Sequence, residues 1–232
     1  MSIICPPDRD RTSWGNHLSN VEFLGRTGLL ASHRKVLEIG CGMGLILSWL
    51  AEHGHDAIGI DMNPAAVAAC KDDLTVLEAN GEDLPFEDES FEIVMSFDVF
   101  EHIPDTDRHL LEVRRVLRPG GWYLFQTPNK WTNIPFEILR WSKRYGIRRA
   151  FDFLKPPQHC SLHNYWQLRR RLHKHGFAVE YYDVPVVNEY FKNKVKKFAG
   201  NAGLVALQIL NPDRLPVALR TNFYVSARML AG

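Results

Sequence analysis

The sequence predicts an α/β fold in which helices cover both faces of a doubly wound, parallel sheet. Short apolar runs alternate with amphipathic segments along most of the chain. The first apolar run ends in a cluster of glycines, and the second ends in an aspartate. Strands that alternate with helices are joined by right-handed crossovers, which place the helices on the faces of the sheet.

The composition favours one domain that spans residues 1–232, because 232 residues with 45% hydrophobic and 24% charged content can bury one sizeable core. Charged or polar residues interrupt the apolar runs before they reach the length of a membrane-spanning helix. The N-terminus lacks the basic and then apolar order of a signal peptide, so we expect a cytoplasmic protein. Cysteines at 5, 41, 70 and 160 are scattered, which predicts reduced thiols.

Charge is distributed unevenly along the chain. Residues 1–130 contain 11 Lys and Arg against 21 Asp and Glu, whereas residues 131–232 contain 17 against 6. An uneven charge distribution gives information about binding partners and little about the fold. It predicts that the C-terminal part attracts an anionic molecule or surface. A basic surface that serves only solubility is the alternative.

The apolar periodicity and the turn residues predict the individual elements. Helices are predicted at 17–30, 44–53, from residue 64, at 107–117 with a cap at Asp105 or Thr106, and at 165–175. Strands are predicted at 35–39, 56–60, 74–78, 91–96, 122–127, 177–184 and 221–228.

The turn after the first strand is built to approach a small molecule closely. Gly40, Gly42 and Gly44 have the spacing G-x-G-x-G, and the next helix starts there with unpaired N–H groups. The dinucleotide pattern requires a further glycine where Leu45 stands, which disfavours a nicotinamide or flavin cofactor. Asp61 ends the second strand 21 residues after Gly40, the separation at which a carboxylate meets ribose hydroxyls.

Four segments in order resemble the class I S-adenosylmethionine-dependent methyltransferases, and especially those that O-methylate quinone precursors and saccharides. The segments are V-L-E-I-G-C-G-M-G at 36–44, G-I-D at 59–61, N-G-E-D-L-P-F at 80–86 and V-R-R-V-L-R-P-G-G at 113–121. The resemblance implies a seven-stranded, mostly parallel sheet with an antiparallel last strand. It also implies that S-adenosylmethionine is the cofactor.

The resemblance assigns a cofactor site to the carboxyl edge of the sheet. Asn80 stands where related enzymes commonly have an acidic residue that accepts a hydrogen bond from adenine, and its amide oxygen can accept the same bond. Trp14 and His17 belong to an N-terminal cover, residues 1–33. The resemblance implies that they reach back over the cofactor, and simple packing is the alternative. The expected cofactor residues are Glu38, Gly40, Cys41, Gly42, Gly44, Asp61, Met62, Asn80, Gly81, Glu82, Asp83, Leu84, Phe97 and His102.

Three histidines are candidates for the base that removes a proton from the acceptor. His159 is the first candidate and His163 the second, because related enzymes often place a histidine of this loop at the acceptor hydroxyl. His102 follows the fourth strand, and it either acts as a base or lines the cofactor pocket. For each, fixing a loop is the alternative. His159, Cys160 and His163 lack an identifiable fourth ligand, so we predict no metal site.

Two insertions follow the cofactor-binding core, which is predicted at 34–130. The resemblance assigns residues 131–175 to a substrate lid, and residues 185–220 are too long for a plain hairpin connection. Basic and aromatic residues at 190–198 precede an apolar helical segment, which predicts a lid or a contact with the inner surface of a membrane. A helix packed on the lid is the alternative.

The sequence therefore predicts a methyltransferase that O-methylates a small or lipid-linked acceptor. An anionic acceptor fits the basic half of the chain. Methylation of tRNA is an alternative, which the lack of a separate RNA-binding module disfavours. A non-catalytic cofactor-binding subunit is a second alternative. The sequence does not predict the oligomeric state.

Overall fold

A seven-stranded sheet forms the centre of the computed structural model, which describes residues 16–70, 73–155 and 158–230. The strand order across the sheet is β3-β2-β1-β4-β5-β7-β6. The strands are β1 (Lys35–Ile39), β2 (Asp56–Asp61), β3 (Thr75–Glu78), β4 (Phe91–Phe97), β5 (Leu117–Pro128), β6 (Phe177–Tyr182) and β7 (Asn222–Met229).

Helix α1 precedes β1, and the other helices lie between strands in the chain, as the alternating pattern predicts. The helices are α1 (His17–Thr27), α2 (Leu45–Glu52), α3 (Pro64–Ala68), α4 (Thr106–Val116), α5 (Lys130–Tyr145), α6 (Tyr165–Lys174) and α7 (Glu189–Ile209). Asp105 caps α4, and its side chain accepts a hydrogen bond from the backbone N–H of Arg108.

The pairing directions confirm the predicted fold class. Strands β1 to β5 pair in parallel, whereas β7 pairs antiparallel with both β5 and β6. Crossovers put helices on both faces, so the central strands are buried on both sides. The chain order reverses between β1 and β4, and ligands in such sheets bind outside the carboxyl ends of the strands at this point.

Two hydrophobic cores lie on opposite faces of the sheet. Successive side chains of a strand point to opposite faces, so Leu37 belongs to one core and Val36 to the other. Helices α4 and α6 cover the first core with Leu110, Val113, Leu168 and Leu172. Helices α1 and α2 cover the second core with Phe23, Leu24, Ile46 and Leu50.

Strand β5 begins earlier than its apolar run predicts. Residues 118–121, which precede the predicted strand, belong to the start of β5, where Leu117 pairs with Phe91 across an irregular register. A Cβ atom on Gly121 would lie 2.8 Å from the carbonyl oxygen of Arg118. Only glycine fits there, so the glycine that suggests a turn instead allows a bulged strand.

The long helices α5 and α7 fall within the two predicted insertions. Helix α7 is kinked at Gly200, whose φ is 63°. The division into core, lids and N-terminal cover stays a prediction, and Trp14 lies outside the described residues. None of the helices in the described parts of the chain combines the length and the apolar character that a membrane crossing requires.

Candidate active site

A cavity of about 330 Å³ opens at the carboxyl edge of the sheet, where the chain leaves β1, β2, β3 and β4. The lining residues come from these four strand ends and from the segment that follows β4. They are Ile39, Gly40, Asp61, Met62, Ala79, Asn80, Gly81, Glu82, Phe97, Asp98, Val99, His102, Ile103 and Pro104.

Gly40 brings the backbone of the first loop against the segment after β4. Its φ is 72°, in the left-handed region, and its N–H donates to the carbonyl oxygen of Ile60 at 2.7 Å. A Cβ atom at this position would lie 2.3 Å from Cγ2 of Val99. The close approach that the glycine spacing predicts is therefore present, and it narrows one wall of the cavity.

Asp61 ties the end of β2 to the glycine loop. Its Oδ2 accepts a hydrogen bond from the backbone N–H of Gly42 at 2.9 Å, and its Oδ1 accepts from that of Asn63 at 2.8 Å. Each carboxylate oxygen has a second lone pair for another donor. The carboxylate is thus held at the cavity wall in a fixed orientation.

The loop after β3 is fixed by its own side chains. Asn80 Oδ1 accepts from the N–H of Glu82 at 3.0 Å, and Glu82 Oε1 accepts from the N–H of Asp105 at 2.8 Å. Below the loop, Nδ1 of His109 donates to the carbonyl oxygen of Gly81 at 2.8 Å. Burial lowers the pKa of His109 to about 4, so this ring stays neutral at pH 7.

Asp98 lines the cavity although the sequence analysis did not single it out. Its φ is 56°, which is uncommon for a residue other than glycine. Its N–H donates to Gln126 Oε1 at 2.9 Å, and its carboxylate oxygens accept from Asn16 Nδ2 at 3.1 and 3.0 Å. The position of Asp98 directly after β4 could have predicted its place in the cavity, because the carboxyl ends of the parallel strands meet at this edge of the sheet.

The charges of the cavity favour a cationic ligand. Asp61, Glu82 and Asp98 line it, and the described lining residues include no lysine or arginine. A sulfonium compound carries a positive charge beside its ribose and would meet these carboxylates favourably. The pyrophosphate of a dinucleotide would be repelled, in agreement with the glycine spacing.

The structure brings eight of the predicted cofactor residues to the cavity and leaves six outside its lining. The eight are Gly40, Asp61, Met62, Asn80, Gly81, Glu82, Phe97 and His102, and the six are Glu38, Cys41, Gly42, Gly44, Asp83 and Leu84. Gly42 still acts on the cavity, since its N–H orients Asp61. Binding of a cofactor by any of them stays a prediction.

Glu38 lies beneath the glycine loop and not in the cavity wall. Its side chain is buried, and burial together with the charge of Asp61 holds its pKa well above the usual range. Among the described residues, no group hydrogen-bonds its Oε2. Cofactor binding by Glu38 stays a prediction, and it would be indirect, through the loop above this side chain.

A second group of polar side chains lies next to the cavity, beyond His102. Glu101 is buried, and its Oε2 accepts from Thr127 Oγ1 at 3.1 Å. Its Oε1 lies 4.0 Å from Nε2 of His102, whose Nδ1 lies 3.2 Å from the carbonyl oxygen of Gln158. Burial and the charge of Asp98 raise the pKa of Glu101 to about 8.

His159 completes this group from the loop before α6. Its ring lies 5.0 Å from that of His102, centroid to centroid, and its Nδ1 lies 3.0 Å from Oδ1 of Asn133. Burial and the nearby His102 and Arg140 lower the pKa of His159 to about 4. We call Glu101, His102 and His159 the edge cluster.

His163 does not join the edge cluster. Its Nδ1 donates to the carbonyl oxygen of Ser161 at 2.7 Å, and its ring packs on Phe100 with the centroids 5.6 Å apart. Burial lowers its pKa to about 4. These contacts match the loop-fixing alternative, and a catalytic role for His163 stays an untested prediction.

A family model described as a methyltransferase domain matches residues 37–125. The matched segment runs from β1 through most of β5, and it contains the four strand ends that line the cavity. It covers less than half of the chain.

Curated proteins with similar sequences include two from mycobacteria. Phthiotriol/phenolphthiotriol dimycocerosates methyltransferase 1 of Mycobacterium ulcerans is 39% identical over 117 residues, which cover 47% of this chain and 42% of that protein. A probable S-adenosylmethionine-dependent methyltransferase of Mycolicibacterium smegmatis is 38% identical over 105 residues, which cover 44% and 41%. The chain thus matches only about two fifths of the length of these curated relatives.

Solved structures share the fold over nearly the whole chain. A crystal structure of an S-adenosylmethionine-dependent methyltransferase from Mesorhizobium loti aligns with a TM-score of 0.62 and covers 93% of this chain and 98% of that one. At 18% identity this similarity establishes the fold alone.

Proposed function

The chain carries a class I S-adenosylmethionine-dependent methyltransferase domain, and we propose that it transfers a methyl group to a hydroxyl of a lipid-linked acceptor. The observation that carries the proposal is the juxtaposition of the acidic cavity with the edge cluster. His102 belongs to both. A methyl donor in the cavity and a hydroxyl beside the edge cluster would be neighbours.

On the cofactor side, the strand ends supply contacts for each part of S-adenosylmethionine. Asp61 would accept hydrogen bonds from the ribose hydroxyls, and the loop at Asn80 and Gly81 would border the adenine. Gly40 and Asp98 would border the methionine end, where the aspartate would offset the positive ammonium group. When bound, the cofactor supplies an electrophilic methyl group on a positively charged sulfur.

On the acceptor side, the edge cluster orients the hydroxyl and takes its proton. The neutral ring of His159 is the first candidate for the base that takes the proton, and His102 at the cavity wall is another candidate. Alignment of the oxygen with the methyl group supplies much of the rate, since positioning is worth about 7–11 kcal/mol in intramolecular reactions.

The acceptor class rests on the relatives and on the charge of the second half. The relative from Mycobacterium ulcerans is named as a phthiotriol/phenolphthiotriol dimycocerosates methyltransferase, and this name denotes a lipid acceptor. An acceptor of lipid character agrees with the aromatic and basic residues of the insertion after β5. A quinone precursor or a saccharide lipid belongs to the same proposed class.

Methyl transfer is tested with methyl-labelled S-adenosylmethionine and a lipid extract, with labelled products identified by mass spectrometry. We expect a labelled lipid with the parent protein. Replacing His159 with alanine should lower kcat roughly 100-fold or more, because general acid–base and orienting contacts of this kind are worth 10²–10⁴ in rate. Its cofactor affinity should be unchanged, because His159 does not line the cavity.

The matched control is His173→Ala, which removes an exposed histidine of α6. This variant should transfer methyl groups like the parent. If S-adenosylmethionine binds but no fraction of the extract is labelled, the non-catalytic alternative replaces the proposal. If only RNA is labelled, the tRNA alternative does.

A basic tip, residues 143–151, suits contact with an anionic membrane. Ile147 is 82% exposed and Phe151 58% exposed. Lys143, Arg144, Arg148 and Arg149 are exposed beside them. Apolar side chains that insert and cations that meet lipid phosphates are the two components of interfacial binding.

Vesicle co-sedimentation tests this contact. The double variant Arg148→Glu/Arg149→Glu should bind phosphatidylglycerol vesicles at least about 30-fold more weakly, because each cation near an anionic surface is worth roughly 1 kcal/mol. Lys196→Glu/Lys197→Glu on α7 changes the net charge equally and is the matched control. If the α7 variant alone loses binding, the membrane contact is the one predicted at 190–198; if both variants bind normally, neither surface docks.

A further inference from the structure

The geometry points to a divalent metal site in the edge cluster, and we propose that Glu101, His102 and His159 bind Zn²⁺ or a similar transition ion. One ligand atom of each residue lies within 4.8 Å of those of the other two. Two imidazole nitrogens and one carboxylate oxygen suit zinc and its neighbours, whereas Mg²⁺ prefers oxygen ligands.

Both histidines are held in the same way, each through its Nδ1 atom. The Nδ1 atoms of His102 and His159 face oxygen acceptors, on Gln158 and Asn133 respectively, so each Nδ1 carries the proton. Each Nε2 therefore has the lone pair that a metal requires. Metal-binding histidines characteristically donate their other N–H to an oxygen in this way.

The carboxylate of Glu101 is oriented in the same manner. Thr127 Oγ1 holds its Oε2, which leaves Oε1 on the side of His102. The carboxylate is buried, and in the described part of the chain its nearest ion-pair partner is the ring of His102, at 4.0 Å. A buried carboxylate is costly unless it is protonated or paired, and a bound cation would pair it.

Binding would require the ligand atoms to move closer together. Ligand atoms in a tetrahedral zinc site lie about 3.4 Å apart, as bond lengths of about 2.0–2.2 Å dictate. His102 Nε2 and Glu101 Oε1 are 4.0 Å apart, and the separations within the cluster do not exceed 4.8 Å, so a shift of about 1 Å per side chain brings the three atoms to the required distance. His102 has 39% of its side chain exposed, which gives an ion a path to the cluster.

This set differs from the one that the sequence suggested and dismissed. Cys160 Sγ lies 3.8 and 3.5 Å from the backbone oxygens of Glu101 and His102, and His163 is held by Ser161. The carboxylate of Asp98 adds negative potential beside the cluster. A bound ion would occupy the Nε2 atoms of His102 and His159, so in the metal-bound protein the ion, and not these rings, would bind the acceptor hydroxyl and lower its pKa.

Metal binding is measured on the full chain, without cofactor or acceptor and after removal of any histidine tag. Titration of the metal-free protein with Co²⁺ should give one saturable visible absorption band per chain, which Zn²⁺ abolishes in competition. Glu101→Gln and His159→Ala should lose this band. Asn133→Ala should weaken binding roughly 10–100-fold, the usual effect of removing the partner of a metal-binding histidine.

The control His173→Ala should bind Co²⁺ like the parent, and thermal unfolding shows whether each variant is folded. Glu101→Gln is isosteric and keeps the test decisive if His159→Ala fails to fold. Co²⁺ binding that is absent from the parent, or equal in Glu101→Gln, would overturn the metal site. Because no methyl transfer is measured, failure of the proposed activity would leave this result standing.

Discussion

Replacing Asp61 with alanine is expected to weaken S-adenosylmethionine binding at least 100-fold. On the proposed binding mode, the variant loses the two charge-assisted hydrogen bonds that Asp61 would accept from ribose, each worth about 1.5–3 kcal/mol, and a tenfold change in affinity corresponds to about 1.4 kcal/mol. It also frees the N–H of Gly42, which Asp61 holds at 2.9 Å. Isothermal titration calorimetry measures the dissociation constant.

Asp56→Ala is the matched control, because Asp56 is an exposed carboxylate at the opposite end of the same strand. It should bind the cofactor like the parent. Asp61→Asn keeps an acceptor oxygen without the charge, so its affinity should fall between those of the parent and Asp61→Ala. Equal affinities for Asp61→Ala and the parent would show that the cavity does not bind ribose at this carboxylate.

The strand ends that form the cavity were predictable from the sequence for a simple reason. Parallel strands align their carboxyl ends, so residues such as Gly40 and Asp61 meet wherever the strands themselves can be recognised. The sequence pattern does not indicate which residues next to these strand ends face the ligand. Glu38 precedes the glycine loop and Cys41 belongs to it, but both side chains are buried.

The edge cluster was only partly predictable. His102 and His159 were named as separate candidates, and the sequence paired His159 with His163 because they are close in the chain. The contact between His102 and His159 depends on how the loop before α6 packs on the turn after β4. No spacing rule encodes such long-range packing. The same holds for Glu101, whose partner Thr127 lies on another strand.

A large loss of stability is expected for Gly40→Ala, the substitution that forces a Cβ atom against Val99. A residue other than glycine in the left-handed region costs about 1–2 kcal/mol, and overpacking adds about 1–3 kcal/mol, so the free energy of unfolding should fall by about 2–5 kcal/mol. Urea denaturation measures it. Gly42→Ala is the matched control, since its φ is 53° and the added Cβ meets nothing within 4 Å; it should lose only about 1–2 kcal/mol.

A double-mutant cycle with Val99→Ala separates the two causes at Gly40. If the 2.3 Å contact with Cγ2 is responsible, truncating Val99 relieves it, and the double variant is more stable than additivity predicts by about 1–3 kcal/mol. If the losses of stability in the two single variants simply add, backbone strain alone explains why position 40 requires glycine. Val99 would then not form the wall against which the first loop is pressed, and the shape of the cavity would have to be fixed elsewhere.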